Sequence, residues 1–183
     1  FVESPLCHPS VMMRRSALNA VGGYREYDGP EDYDLWLRFA EKGMAMETLP
    51  HTLLRWRDRP SRATRQDARY RDAAMMGVKL EHLHRWRLPQ TLDLAVCSAG
   101  AFGKSWARAL LEVGRRVRFF LDVDPRKIGQ RIHGAPVLSL DELPEAGEVL
   151  LIVAVGIEGA RAQIRAELAR RGWREGQHFL CVQ

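Results

Sequence analysis

Two adjacent carboxylates, Glu31 and Asp32, stand where the loop Asp28-Gly-Pro30 passes into an amphipathic segment. Unpaired backbone N–H groups and the helix dipole favour acids at a helix start, so both residues can be explained as capping residues. A carboxylate that stays ionised at the edge of a cleft can instead act as a general base and take a proton from an attacking hydroxyl. The local sequence leaves both interpretations open.

A second candidate is the glycine turn Ala95-Val-Cys-Ser-Ala-Gly-Ala-Phe-Gly103, which follows an apolar run. It has the context of a dinucleotide fingerprint, G-x-G-x-x-G, although Ser98 replaces the first glycine. We expect Gly100 to admit a phosphate beside a helix N-terminus, Gly103 to complete the motif, and Asp122 to bind a ribose hydroxyl. A parallel sheet also needs small residues at this turn merely to pack its helix, so packing is the alternative.

The first half of the chain must position the acid pair on a helix. A helix is predicted over residues 31–42, with Leu35, Trp36 and Phe39 on its buried face and Gly43 as its stop. We expect a short strand over residues 11–13 and a helical turn over 15–21 before it. An extended segment over 44–54, an irregular loop over 55–64 and a long helix over 63–84 should follow it.

The second half alternates apolar runs with helical patterns. Strands are predicted over residues 92–97, 117–121, 149–155 and 179–182, and helices over 102–113 and 159–171. This alternation predicts an α/β fold with a parallel sheet and right-handed crossovers. The segment Leu88-Pro89-Gln90 is the expected boundary between domains 1–88 and 89–183.

Composition excludes several classes of protein. The 183 residues carry a formal charge of +5, and the longest apolar runs fall far short of the roughly 20 residues that a spanning helix needs. Three cysteines without a C-x-x-C pair argue against a disulfide framework or a zinc cluster and favour a reducing cytosol.

Arginines alternate with acids over residues 65–72, which indicates a solvated helix face rather than a nucleic-acid site. Weak attraction to anionic lipid at the inner face of a membrane is compatible with this charge. The start at Phe1, without a signal pattern, predicts an edge inside a longer protein.

Three motifs in the first half agree with one family. In order they are His8-Pro-Ser-Val-Met-Met-Arg-Arg15, Gly22-Gly-Tyr-Arg-Glu26 and Glu31-Asp-Tyr-Asp-Leu-Trp-Leu-Arg38. Over about residues 1–83 the chain resembles the acceptor-side half of the GT-A catalytic domain of bacterial family 2 glycosyltransferases. The resemblance implies that Asp32 is the catalytic base and that Glu31 contacts the acceptor or positions the loop.

That resemblance also implies the chemistry. An acceptor hydroxyl would attack the anomeric carbon of a nucleotide-activated sugar in one inverting displacement, and a divalent cation, Mg or Mn, would neutralise the departing diphosphate. In the family the cation is bound by an Asp-x-Asp motif of the donor-binding half. No such motif precedes Phe1, so we expect no metal ligands in this fragment and no turnover by the fragment alone.

Four further residues are candidates for contacts with substrate or diphosphate. His8 could approach the metal or the diphosphate, or merely be hydrogen-bonded beneath Pro9. Leu54-Arg-Trp-Arg57 with Ser61 resembles the loop that closes over the diphosphate, although a plain arginine-rich surface loop explains it equally well. Processive synthases carry Gln-x-x-Arg-Trp, and Thr52 in the glutamine position favours transfer of one sugar per encounter. Tyr24 is the better surface platform for stacking on a sugar, with Trp56 as a further aromatic candidate.

The second half resembles the Rossmann-like N-terminal domain of bacterial sugar acetyltransferases in three segments, Phe120–Pro125, Gly134–Leu138 and Ile152–Gly156. That resemblance implies binding of a nucleotide-linked sugar. The leading hypothesis for the whole chain is therefore part of an inverting, non-processive glycosyltransferase of cell-surface glycan synthesis, with a nucleotide-sugar donor and a sugar or lipid-linked acceptor. The alternatives are a regulatory or docking protein that binds a nucleotide, a nucleotide sugar or CoA, and an NAD-dependent oxidoreductase that uses Gly100 and Asp122.

Overall fold

The computed structural model describes residues 1–4, 6–55, 57, 59 and 66–183. The chain divides into two compact units. We call Ser4–Trp86 the helical unit, and Phe1–Glu3 together with Arg87–Gln183 the sheet unit. The division falls between Trp86 and Arg87, beside the expected boundary at Leu88.

The helical unit contains α1 (Arg15–Ala20), α2 (Glu31–Glu41) and α3 (Asp72–His82), with 3₁₀ turns at His8–Ser10 and Ala68–Tyr70 and a π turn at Leu83–Arg87. The chain leaves α1 through Gly22 and Gly23, both at positive φ, where a side chain would be strained. The expected core of α2 is confirmed, since Leu35, Trp36 and Phe39 are buried and pack against α1 and its flanking segments.

Two expectations for this unit are wrong, namely the strand over residues 11–13 and the uninterrupted helix over residues 63–84. Residues 11–13 belong to no strand of the described chain, although Val11 and Met13 pack against the α2 core. The segment 44–54, expected to be extended, contains no helix or strand, and Met44 packs against the same core. The long helix is interrupted, because Arg71 is extended (φ −73°, ψ 157°) and separates the 3₁₀ turn from α3. Periodicity cannot detect this break, because Tyr70 and Ala73 keep a helical spacing on either side of it. Residues 60–65 lie outside the described part.

The sheet unit contains six strands: β1 (Asp93–Cys97), β2 (Val117–Leu121), β3 (Arg131–Ile132), β4 (Ala135–Leu138), β5 (Val149–Val153) and β6 (Phe179–Cys181). Their order is β3-β4-β2-β1-β5-β6, and all pairs are parallel except β3 with β4. The helices α4 (Ala101–Glu112) and α5 (Ala160–Arg170) follow β1 and β5. The predicted α/β fold with a parallel sheet is thus confirmed.

The central strands are buried on both faces, as their continuous apolar sequence predicts. One face of the sheet packs against α5 and the segment around Trp173; its core consists of Ala95, Phe119, Leu121, Val149, Leu151, Val153, Leu168, Trp173, Phe179 and Cys181. The β3–β4 hairpin was not predicted. It turns through His133 and Gly134, both at positive φ, which is the backbone of a tight two-residue hairpin.

Candidate functional sites

The acid pair occupies the first turn of α2. Pro30 is the N-cap residue and has no side-chain cap, while Asp32 Oδ1 accepts a hydrogen bond from the Tyr33 N–H at 2.7 Å. Glu31 faces another segment altogether, because the Tyr70 hydroxyl lies 3.2 Å from both of its carboxylate oxygens. Both acids are partly exposed. Glu31 and Asp32 are therefore accessible groups at the positive end of a helix, where an ionised carboxylate is stabilised.

His8 and Tyr24 meet beside this pair. His8 Nε2 lies 2.7 Å from the Tyr24 hydroxyl, and the His8 ring packs edge-on against Trp36. Tyr24 is 43% exposed, which fits its predicted place on the surface. Burial raises the pKa of Tyr24, and the negative charges of Asp32 and Glu31 raise it further. The fold thus brings Tyr24 of the Gly-Gly-Tyr motif within electrostatic range of the acid pair, and His8 into contact with Tyr24.

Sequence reasoning missed Arg69 and Tyr70, which the 3₁₀ turn at Ala68–Tyr70 carries to the acid pair. Asp67 fixes the Arg69 guanidinium through bonds from Nε at 2.9 Å and from Nη2 at 2.6 Å, while Nη1 lies 3.9 Å from Glu31. Burial, followed by the charges of Glu31 and Asp32, raises the pKa of Tyr70 to about 12. No sequence pattern links Tyr70 to Glu31, because the two are far apart along the chain.

Tyr24, Glu31 and Arg69 border an open cleft of mixed charge, whereas Asp32, His8 and Tyr70 are not among its lining residues. Two tyrosines, two arginines and three acids line it: Tyr24, Arg25, Glu26, Tyr27, Asp28, Glu31 and Arg69. Aromatic rings can pack against the apolar faces of a polyhydroxylated ligand, and the neighbouring carboxylates can accept hydrogen bonds from its hydroxyl groups. Of the other predicted contacts, Arg57 is exposed in irregular chain and is not among the cleft residues, while Ser61 and Trp56 lie outside the described residues.

A buried ion network centred on Asp34 lies behind the cleft. Asp34 is 0% exposed and accepts bonds from Arg38 Nε at 2.8 Å and from Arg25 Nε at 3.2 Å, with a second contact from Arg25 Nη2. His82 Nε2 lies 3.0 Å from Asp34, and its Nδ1 lies 2.5 Å from Glu41. Burial opposes ionisation of Asp34, but the hydrogen bonds from His82, Arg25 and Arg38 outweigh it and hold the pKa of this carboxyl well below its usual range.

The network connects α2 to the loop that carries Tyr24. Arg38 Nη1 donates to the carbonyl oxygens of Val21 at 2.6 Å and Gly23 at 2.7 Å, and Arg25 also bonds Glu81 of α3 at 2.9 Å. Sequence analysis did not single out Asp34. Its i, i+4 spacing to Arg38 was the one available signal.

In the sheet unit, two backbone N–H groups of the glycine turn are bonded to side chains of the protein itself, Ser98 within the turn and Asp122 after β2. Ser98 has φ +112°, in the region where the missing first glycine would be favoured. Asp122 Oδ2 accepts the Ala99 N–H at 2.8 Å, and Ser98 Oγ accepts the Gly100 N–H at 3.1 Å. Lys127 Nζ bonds Asp122 at 3.1 Å. Burial opposes ionisation of Asp122, but the backbone bonds from Asp124 and Ala99 and the Lys127 contact lower its pKa.

Gly103 has a packing reason for being glycine. A Cβ at this position would lie 1.8 Å from the Ser98 carbonyl oxygen, whereas a Cβ at Gly100 would lie 3.2 Å from the movable Ser98 Oγ. The turn therefore needs Gly103 so that α4 can pack against the end of β1. Packing alone therefore accounts for both glycines, without a bound ligand.

Among the residues that the structure describes, no group of three or more His, Cys, Asp or Glu side chains is arranged to bind a metal ion. No helix in the same residues has both the length and the apolar character to cross a membrane.

Comparison with known proteins gives partial similarities. No protein-family model matches the chain. A stretch of 58 residues, 30% of the chain, is 41% identical to "Putative glycosyltransferase EpsE" of Bacillus subtilis (strain 168), and the match spans only 21% of that protein. Among solved structures, a Rex-family repressor, RSP, aligns with 55% of the chain at 17% identity and a TM-score of 0.41; its structures include complexes with beta-NADH and with beta-NAD+ and operator DNA. Part of the chain is thus glycosyltransferase-like in sequence.

Proposed function

We propose that the helical unit is the acceptor-side part of an inverting, non-processive glycosyltransferase of family 2 and GT-A type, with Asp32 as its general base. The observation that carries the proposal is the partly exposed Glu31–Asp32 pair, with the Tyr70 hydroxyl on Glu31 and with Tyr24, the partner of His8, within electrostatic range of both carboxylates. Glu31 and Tyr24 also line an open cleft. The similarity of part of the chain to a glycosyltransferase supports it.

The proposed reaction is a single displacement. Asp32 takes the proton of an acceptor hydroxyl, the freed oxygen bonds to the anomeric carbon of a nucleotide sugar, and the bond to the nucleoside diphosphate breaks with inversion. Tyr24 and His8 contact the acceptor, and Glu31, held by Tyr70, positions the loop. A divalent cation would balance the diphosphate in the complete enzyme. The described residues do not offer a ligand set for it, so no step here is assigned to it.

Asp34 is a positioning residue in this scheme. It touches neither acid of the catalytic pair, but through Arg25 and Arg38 it fixes the Gly22–Arg25 loop against α2. Precise placement matters because misplacement of a base by about 1 Å can cost two orders of magnitude in rate.

The second candidate is a nucleotide-binding module without catalysis, formed by the sheet unit. A parallel sheet with Asp122 at the end of β2 favours it. The NAD-dependent oxidoreductase has no comparable support, since the turn amides that would cradle a pyrophosphate are already bonded to Asp122 and Ser98.

The test is Asp32→Asn in the complete enzyme, assayed for sugar transfer from UDP-, GDP- and dTDP-sugars. Loss of a general base should lower kcat by about 10²–10⁴-fold, with donor affinity and folding nearly unchanged. Asp72→Asn is the matched control, because Asp72 is also an acid in the first turn of a helix but lies on exposed surface of α3. Retained turnover in Asp32→Asn would remove Asp32 from this role.

A further inference from the structure

The open cleft of the helical unit carries an uneven charge, which restricts the ligands that it can bind. Its volume of about 660 Å³ lies within the range of small-molecule sites. Five of the described residues that line it are charged: Arg25, Glu26, Asp28, Glu31 and Arg69. Two cations against three acids would leave the cleft close to neutral if all five were equally free. Their ionic partners therefore decide which charges remain for a ligand.

Both arginines of the cleft are bonded to acids that do not line it. Arg25 donates from Nε to Asp34 at 3.2 Å and from Nη1 to Glu81 at 2.9 Å. Arg69 donates from Nε and Nη2 to Asp67 at 2.9 and 2.6 Å. None of these three acids is among the described lining residues. Each guanidinium is thus compensated before a ligand arrives, so an anionic ligand would have to compete with these acids.

Two acids of the loop before α2 have no such compensation. Glu26 and Asp28 are exposed, and neither forms an ion pair or a side-chain hydrogen bond within the part of the chain that the structure describes. Glu31 is compensated only loosely, since Arg69 Nη1 lies 3.9 Å from its carboxylate. The charge that remains available in the cleft is therefore negative.

The same loop places an aromatic ring beside the two free acids. Exposure alternates along it: Tyr24, Glu26 and Asp28 are exposed, whereas Arg25 and Tyr27 are half-buried. The three exposed side chains therefore lie on the solvent side of the loop. The Arg25 guanidinium lies 5.4 Å from the centre of the Tyr27 ring. Tyr24, which is 43% exposed, thus presents the more accessible ring to a ligand.

The electrostatic potential at the Tyr24 ring is negative as well. Burial raises the pKa of Tyr24, and the charges of Asp32 and Glu31 raise it further, because they disfavour another negative charge nearby. The same charges favour a cation there. An ammonium group is attracted both by carboxylates and by the face of an aromatic ring. On the basis of the proposed function, which makes this cleft the acceptor site, we propose that the acceptor is an amino sugar whose free ammonium group is bound by Glu26 and Asp28 beside Tyr24.

The experiment is titration of the 183-residue protein, followed by amide NMR, with methyl glycosides of glucosamine and galactosamine, of their N-acetyl derivatives and of glucuronic acid. At about pH 6 the sugar amine, like an α-amino group with a pKa of about 8, is protonated. At least one amine should bind about tenfold or more tightly than both its N-acetyl derivative and the glucuronide, because charge-assisted hydrogen bonds are the stronger ones. Binding should shift the amide signals of Tyr24, Glu26 and Asp28.

Exposed acids provide a matched pair of variants. Glu26→Gln combined with Asp28→Asn removes both charges from exposed positions, and should bring the Kd values of the amine and its N-acetyl derivative to within about threefold of each other. Glu112→Gln removes an exposed acid of α4 in the sheet unit and should leave the preference unchanged. Equal binding of amine and N-acetyl derivative, tighter binding of the glucuronide, or no binding of either amine would overturn the proposal.

Failure of this proposal is distinguishable from failure of the proposed function, which is tested by turnover of Asp32→Asn in the complete enzyme. Lost turnover in that variant, together with equal binding of amine and N-acetyl derivative, would remove the ammonium preference and leave Asp32 as the base. Retained turnover together with the expected preference would remove Asp32 from its role and leave the ammonium site at Glu26 and Asp28.

Discussion

Three acids within the first turn of α2 differ in burial, and burial separates their roles. Glu31 and Asp32 are partly exposed beside Tyr24 and Tyr70, whereas Asp34 is fully buried among arginine and histidine side chains. An accessible carboxylate can exchange protons with a substrate, while a buried one surrounded by donors stays ionised and holds its partners in place. In the proposed reaction, the proton-accepting residue and the residue that positions it are therefore near neighbours in one motif.

Asp34→Asn should therefore destabilise the helical unit strongly. Removing this charge leaves the buried Arg38 and the Arg25 contact uncompensated, and breaking a buried pair costs about 3–5 kcal/mol. Urea unfolding followed by tryptophan fluorescence measures the change. Asp32→Asn is the control, with an expected cost below about 1 kcal/mol at a partly exposed position. Equal losses in the two variants would contradict the central role of Asp34.

Acid should act on the same residue. Burial alone would raise the pKa of Asp34, but hydrogen bonds from His82, Arg25 and Arg38 outweigh it, so the pKa is lowered in the folded state. An Asp in the unfolded chain has a pKa of about 3.9, so near and below that pH the unfolded chain binds more protons than the folded chain. The stabilisation by Asp34 is therefore present above about pH 4 and is lost as the pH falls further. Urea unfolding at about pH 5, 4 and 3 should show a steeper loss in the wild type than in Asp34→Asn. Parallel curves would argue against this assignment.

At the scale of elements, local patterns predicted the long pieces and missed the short ones. The predicted bounds agree to within a few residues for β1, β2, β5 and α2. The strands are recognisable from their short continuous apolar runs, and the helix from an apolar stripe with a helical period. The strands β3 and β4 are too short for a pattern, and β4 contains Pro136. Their existence depends on pairing between β4 and β2, which is a tertiary contact.

Two glycines inside helices test how packing overrides propensity. Gly103→Ala in α4 would place a Cβ 1.8 Å from the Ser98 carbonyl oxygen and should cost about 1–3 kcal/mol or more. Gly77→Ala in α3 meets nothing within 4 Å and should stabilise by about 0.5–1 kcal/mol, because alanine is the better helix former. Thermal unfolding of both variants measures the difference. Changes of the same sign would show that the close approach at Gly103 is relieved without cost.

At the scale of the whole molecule, the two compact units suggest independent folding. The sheet unit has its own core, to which Val2 contributes, and a six-stranded sheet. We expect residues 87–183, produced alone, to fold cooperatively, because nearly all of that core lies within them. Near-UV circular dichroism and a dispersed NMR spectrum measure this. A fragment without fixed tertiary signals would show that the unit depends on the rest of the chain.

The sequence by itself determined the α/β class, the parallel sheet, the core face of α2 and the acid pair at its start, because these follow from local periodicity and helix-end chemistry. It nominated His8 and Tyr24 by resemblance. Only the tertiary structure placed Tyr70 on Glu31, buried Asp34 against His82, and closed the glycine turn with Asp122. These contacts join segments distant along the chain, and side chains that meet only after folding leave no periodic trace in the sequence.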